Sequence, residues 1–257
     1  MRQLLISLLA TLIPFGVSSQ NFNYTATADS VAWNEISAQT MLNTSNSAWN
    51  FSYRIPIGFT FNYLGHDFDS LTIETNGYLV FDANRYYAFT AFNQFGDHVD
   101  GSGNHTVLSY ELSGTSGNHV LKIQYKNASQ SLSDLRVQSW QIWLKENGNV
   151  ELRVGPGDYR THAAEIPVQD STVTTDSLGI HVSYSEHLDT MYVVDSLQYC
   201  RIGLLNPNMD TETRGYFLSG STTAPSGVPV NDANPDTASM QTIPAQGYRY
   251  TFTPSFN

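Results

Sequence analysis

Leu71-Thr72-Ile73-Glu74-Thr75-Asn76-Gly77-Tyr78-Leu79-Val80-Phe81 decides the fold class. Apolar and polar residues alternate on both sides of Asn76-Gly77, and that dipeptide is a strong hairpin signal because both residues tolerate positive φ. Two antiparallel strands joined by a tight turn are predicted. Upstream, Ile55, Ile57, Phe59, Phe61 and Tyr63 fall on one face of another extended segment. Downstream the same period recurs in Leu108, Tyr110, Leu112, in Leu121, Ile123, Tyr125 and in Trp140, Ile142, Leu144. A second Asn-Gly turn at Asn147-Gly148 is followed by Val150, Leu152 and Val154. Further runs lie at 178–184, 191–194, 198–205, 216–218 and 248–252, and helical periodicity is nearly absent. Many short strands separated by turn residues predict an all-β fold. Alternation leaves each sheet with one apolar face, so two sheets must cover each other. The expectation is a single domain over 20–257, a two-sheet antiparallel jelly-roll-like sandwich. Segments 155–177 and 206–241 interrupt the pattern and are expected to be long loops.

The first 19 residues read differently. Arg2 is followed by an apolar run from Leu4 to Val17 and the small residues Ser18-Ser19. That is the anatomy of a cleaved signal peptide, with the mature chain starting at Gln20 or Asn21. Export follows, to the extracellular space, the cell surface or the periplasm. No later run reaches the roughly 18 apolar residues of a membrane helix. The net charge is −11 and there are three lysines, Lys122, Lys126 and Lys145, which argues against nucleic acid and anionic membranes as partners. Cys200 is the single cysteine, so no internal disulfide framework exists and packing must supply the stability.

Catalytic signatures are missing. The seven histidines show no HxH or HExxH spacing, and no G-x-S-x-G elbow occurs. Cys200 sits in an apolar strand-like run and reads as core. Glu146 and Glu151 flank the second Asn-Gly turn, where solvated turn residues are the ordinary explanation. A non-enzyme is expected; the alternative is a carbohydrate-active enzyme whose carboxylates converge only in the fold. Calcium is the one candidate cofactor. Asp232, Asn234 and Asp236, and separately Asp97, Asp100 and Asn104, place oxygen ligands near alternate positions, although Asx-rich turns explain both sets through the backbone alone.

Ligand-facing aromatics are a further candidate. Arg85 to Phe95 carries five aromatic residues just after a strand. Arg85, Tyr86, Tyr87 and Phe92 could stack on and hydrogen-bond a sugar, or the aromatics could fold back over the sandwich end. Trp143 alternates with Trp140 and so belongs on the opposite, wet face. Eight of the fifteen aspartates precede Ser or Thr, where about three would by chance. Seven of these continue into Val, Leu, Thr, Met or Ala. The resulting tripeptide resembles the periplasmic O-glycosylation acceptor of Bacteroidetes-type bacteria, which makes Ser30, Ser70, Ser171, Ser177, Thr190, Ser196 and Thr237 candidate glycan sites. Turn chemistry is the competing explanation.

The segments 55–65 and 71–81 together resemble the opening of nidogen-type extracellular modules and, more closely, a β-sandwich module of secreted and surface proteins of Bacteroidetes-type bacteria. Ser109 to Gly114 with Leu121 to Asn127, Gln141 to Arg153, and Ile243 to Phe252 suit the same module in the same order. The resemblance implies a non-catalytic sandwich for adhesion, surface display or glycan contact, and it carries no catalytic residues to transfer. The chain is read as ending just after its last strand, without a C-terminal sorting domain. The expected function is extracellular recognition or adhesion, with a glycan or an extracellular protein as partner. A structural envelope subunit associating through a sheet edge is a further alternative.

Overall fold

The computed structural model describes residues 24–43, 52–81, 87–92, 105–129, 137–158, 163–176, 179–192, 202–205, 215–230, 240 and 242–255; residues 87–88, 163–176, 179–192, 205 and 230 are placed by backbone alone. In chain order the strands are β1 (Tyr24–Ser30), β2 (Thr40–Met41), β3 (Ser52–Tyr63), β4 (His66–Glu74), β5 (Tyr78–Val80), β6 (Tyr87–Ala91), β7 (Val107–Ser113), β8 (Val120–Ser129), β9 (Val137–Lys145), β10 (Val150–Asp158), β11 (Ala163–Asp176), β12 (Gly179–Tyr192), β13 (Ile202–Leu205), β14 (Gly215–Gly220), β15 (Pro225–Val230) and β16 (Tyr248–Pro254). No helix occurs among the described residues.

Two seven-stranded sheets result. The first has the order β1-β16-β10-β9-β8-β7-β2 and the second β15-β14-β13-β6-β5-β4-β3, while β11 and β12 form a two-stranded ladder of their own. Every strand pair in both sheets is antiparallel. The sandwich expectation therefore holds. The two expected long loops do not: 155–177 contains the end of β10 and all of β11, and 206–241 contains β14 and β15. Their Ser, Thr, Asp and Pro content reads as loop, yet β11 pairs with β12 and β14 with β13 and β15, so cross-strand pairing overrides local propensity.

The alternating apolar residues meet in one core. Ile123, Trp140, Ile142 and Leu152 from the first sheet and Ile57, Phe61, Ile73 and Leu79 from the second are all fully buried. Tyr125 stands directly opposite Trp140 in the β8–β9 register, and their rings stack at 4.5 Å. The Tyr125 hydroxyl donates to the Glu74 carbonyl in the other sheet at 2.7 Å, so the largest core stack also ties the sheets together.

Both Asn-Gly turns close hairpins, but as three-residue loops. Gly77 N donates to Glu74 O at 3.2 Å and Gly148 N to Lys145 O at 2.8 Å, each glycine with φ near +85°. A turn followed by a left-handed glycine is the three-residue form of a hairpin. The two-residue loop sits elsewhere, at Leu64-Gly65 between Tyr63 and His66, where both residues have positive φ.

One segment crosses the outside of the first sheet. β1 lies at one edge and β2 at the other, so the chain between Ser30 and Thr40 must traverse the intervening strands. Six strand spacings of about 4.8 Å amount to about 29 Å, and ten residues reach at most about 35 Å, so this strap is drawn nearly straight. Its contacts follow the strand order. Trp33 lies on Gly155 of β10. Asn34 O accepts from Gln141 Nε2 of β9 at 2.8 Å, and Ile36 N donates to Gln124 Oε1 of β8 at 3.2 Å. Ala38 N then donates to Glu111 Oε2, and Gln39 Oε1 accepts from Ser109 Oγ, both on β7. Gln124, Gln141 and Ser109 are consequently buried although they point away from the core. A Cβ on Gly155 would stand 2.7 Å from the Trp33 ring. Gly155→Ala is therefore expected to lift the strap, destabilising the fold by about 1–3 kcal/mol. Accelerated hydrogen exchange at the Ile36 amide would report the lifting, and unchanged exchange would show that the strap holds without this contact.

Candidate binding site

The structure separates the sequence-predicted site residues. Phe92 is a core residue: it is 1% exposed and its ring lies 5.2 Å from that of Trp140. It follows β6 with φ +51°, which breaks the strand alternation and places Phe92 in the interior directly after the buried Ala91. It offers no face to a ligand. Tyr87 is placed by backbone alone, in β6, and Ser171 and Thr190 likewise in β11 and β12. Arg85, Tyr86, Asp97, Asp100, Asn104, Ser177, Ser196, Asp232, Asn234, Asp236, Thr237 and Cys200 lie outside the described residues. Ser30 is exposed at the end of β1, and Ser70 is half-buried. Among the described residues no three His, Cys, Asp or Glu side chains gather as a metal site requires, and no helix is long and apolar enough to cross a membrane.

Trp143 is on the outer face of the first sheet, as its alternation with Trp140 implies, but its ring is already occupied. The Arg153 guanidinium carbon lies 3.3 Å from the ring centroid and Lys122 Nζ 5.0 Å. The indole N–H donates to Gln141 Oε1 at 2.9 Å. A sugar could stack there only by displacing the arginine. Beside it, Glu151 is 1% exposed and receives hydrogen bonds from Lys145 and Arg153, with Arg249 Nη1 at 3.7 Å. Burial pushes the Glu151 carboxyl up, but the hydrogen bonds from Lys145 and Arg153 outweigh it and hold the group below the ordinary glutamate range. Arg249 continues the chain to Asp29, and Lys122 to Glu111 at 2.8 Å. This face is an ion-pair ladder with an indole clamped inside it, a structural arrangement rather than an open platform. Glu146, across the turn, bonds the backbone N–H and ring of His119 at 2.8 and 2.9 Å and does not meet Glu151.

Among the described residues, an open concavity lies on the other sheet. β3 and β4 pair from Ser52↔Glu74 to Pro56↔Ser70 and again from Phe61↔Phe68 to Tyr63↔His66. Between these stretches Ile57 to Thr60 of β3 oppose Asp69 alone, so β3 bows away from its partner. Gly58, with φ +87°, sits in the bow, where a Cβ would meet the Leu112 side chain at 2.4 Å. The excess chain opens a groove of two joined lobes, of about 480 and 700 Å³. Arg54, Thr60, Asp69 and Ser70 line both lobes; Asp67, Phe68 and Phe81 line the first, and Pro56 and Phe59 the second. Arg54 Nη2 donates to Ser70 Oγ at 3.1 Å, and Asn62 Nδ2 to Asp67 Oδ1 at 2.7 Å. Phe68 stacks on Phe81 at 5.2 Å, and Phe59 on His119 at 5.9 Å.

Of this set the sequence marks Asp69-Ser70 as a modification candidate, Phe59 as one of an alternating face and Phe81 as part of a hairpin strand, none of them as a ligand contact. The available signal was Gly58, an isolated glycine within a strand pattern, which often marks a bulge.

A family model described as NIDO related matches residues 23–200, the span from the chain before β1 through β12. No curated protein and no solved structure matches the chain. β13 to β16 lie beyond the matched span yet complete both sheets, with β16 seated between β1 and β10. Matched over more than half its length and folded as the sandwich that its opening motifs called for, the chain belongs to the nidogen-related family, a membership that indicates an extracellular β-module.

Proposed function

We infer that this protein is an exported, non-catalytic recognition module that contacts a glycan or an extracellular protein through its surface. The observation that carries the reading is the groove where β3 leaves β4. There a cation, two carboxylates, two hydroxyls and aromatic rings converge on a rigid sheet. Ligand sites combine apolar walls with a few fixed polar groups in this way. The clamped Trp143 contributes stability and stays out of the contact.

An array of glycans, polysaccharides and extracellular proteins probed with the mature chain tests the reading. Binding is expected, and silence on every spot overturns it. Running the array in calcium and again in chelator tests the Asp and Asn loops: loss only in chelator assigns them to calcium. Trp143→Ala is expected to bind as the wild type does.

A second reading, glycoside hydrolysis, is favoured by Asp67 and Asp69 both lining the groove. Two residues apart on one strand, their Cα atoms are separated by about 6.7 Å, compatible with the carboxyl spacings of glycosidases. Both carboxylates are exposed, however, and general acids are made by desolvation. Reducing-sugar release from a bound polysaccharide would favour the enzyme. Of the two candidate modification sites described with side chains, Ser30 is the more exposed, and a native intact mass equal to the peptide mass would remove the O-glycan proposal.

A further inference from the structure

We propose that the β3–β4 groove is a subsite for a neutral saccharide of at least two rings, with Arg54 and Asp69 bonding the hydroxyls where the rings meet. The inference rests on the recognition reading and narrows it to one ligand class. Arg54 has Ser70 Oγ as its hydrogen-bond partner and no carboxylate partner, and Asp69 has no side-chain partner, both among the described residues. A guanidinium only donates, a carboxylate only accepts, and the hydroxyls of Thr60 and Ser70 do both. Neighbouring sugar hydroxyls, each donor and acceptor, satisfy such a mixed set. Phosphates and sulfates, which only accept, leave Asp67 and Asp69 opposed to them. With one arginine against two aspartates, and a chain of net charge −11, the groove disfavours an anionic ligand.

The shape sets the length. Arg54, Thr60, Asp69 and Ser70 are shared by both lobes, and each lobe carries the exposed part of one half-buried aromatic side chain, Phe68 in one and Phe59 in the other. Two linked pyranose rings would each contact the exposed part of one of these side chains, with the linkage over the shared polar set. An extended peptide fits poorly. Strand addition needs a regular ladder, and β3 departs from regular pairing over Ile57 to Thr60. Ile57 to Thr60 have no register partner on β4.

The test is titration of the secreted protein with neutral methyl glycosides and their matching disaccharides, followed by calorimetry and amide shifts. The disaccharide is expected to bind at least about tenfold more tightly than its monosaccharide, with shifts centred on 54–60 and 67–70. Arg54→Ala and Asp69→Asn should each weaken binding about tenfold to a hundredfold while leaving Tm nearly unchanged, as exposed surface substitutions do. Saccharide binding that survives both substitutions overturns the groove assignment. Binding of a protein or an acidic glycan but of no neutral sugar overturns the saccharide class and leaves the recognition reading standing. An inert array together with an inert titration sinks both.

Discussion

Glu151→Ala is expected to destabilise the fold by about 3 kcal/mol, the scale of breaking a buried ion pair by removing one partner. For a chain of this size that lowers Tm by about 6–12 °C. The reason is asymmetry. Glu151 is 1% exposed, whereas Lys145 and Arg153 are only partly covered, so one buried carboxylate compensates both, and it also faces Arg249, whose main partner is Asp29. Removing it leaves like charges side by side and takes away the anchor that holds Arg153 on the Trp143 ring. Near-ultraviolet dichroism of the tryptophans should change with the denaturation midpoint. A variant as stable as the wild type, with unchanged tryptophan signals, would show that Arg153 stacks without the carboxylate.

The same cluster sets the response to acid. Hydrogen bonds from Arg249 and Lys122 hold the carboxyls of Asp29 and Glu111 below their ordinary ranges, as Lys145 and Arg153 do for Glu151. A carboxyl whose folded-state pKa is depressed contributes stability that is complete above its unfolded pKa, about 4, and is lost as pH falls through the folded value. Stability should thus be level above about pH 5 and fall steadily below about pH 4. Glu151→Gln should flatten that fall. Equal slopes for variant and wild type would place the acid sensitivity elsewhere.

Gly77→Ala is expected to cost about 2–4 kcal/mol, combining the left-handed backbone penalty with overpacking. At φ +85° a Cβ would stand 2.5 Å from the Ala91 carbonyl oxygen and 3.5 Å from the Trp140 ring. The Ala91 oxygen belongs to backbone that β13 holds through the Ile202↔Ala91 pair, so it cannot step aside cheaply. Gly117 is the control. Its φ is also +85°, but a Cβ there meets nothing within 4 Å, so Gly117→Ala should cost only about 1 kcal/mol. Chemical denaturation of the two variants compares them directly; equal losses would mean that the backbone penalty alone governs both.

What was legible locally and what was not divide along physical lines. Alternation in 71–81, 121–125 and 140–154 located strands and core because a half-buried sheet imposes a period of two on each strand separately. The Asn-Gly turns were located for a similarly local reason, since positive φ is a property of one residue. Phe92 misled because its positive φ breaks the alternation, and a loop rich in aromatics reads the same whether it folds inward or out. The strands inside 155–177 and 206–241 escaped because their Ser, Thr, Asp and Pro content reads as turn, while cross-strand pairing with chain neighbours, β11 with β12 and β14 with β13 and β15, makes them extended.

By itself, then, the sequence determined an acidic chain, an all-β sandwich and the family to which it belongs. Tertiary structure alone decided where an open groove forms. The groove comes from a mismatch in length between two paired strands, visible only once their register is known. Trp143 was correctly assigned to the outer face, but whether its ring is free depends on Lys122 and Arg153, brought there by the registers of β8, β9 and β10. Face is a property of one strand, and accessibility is a property of its neighbours.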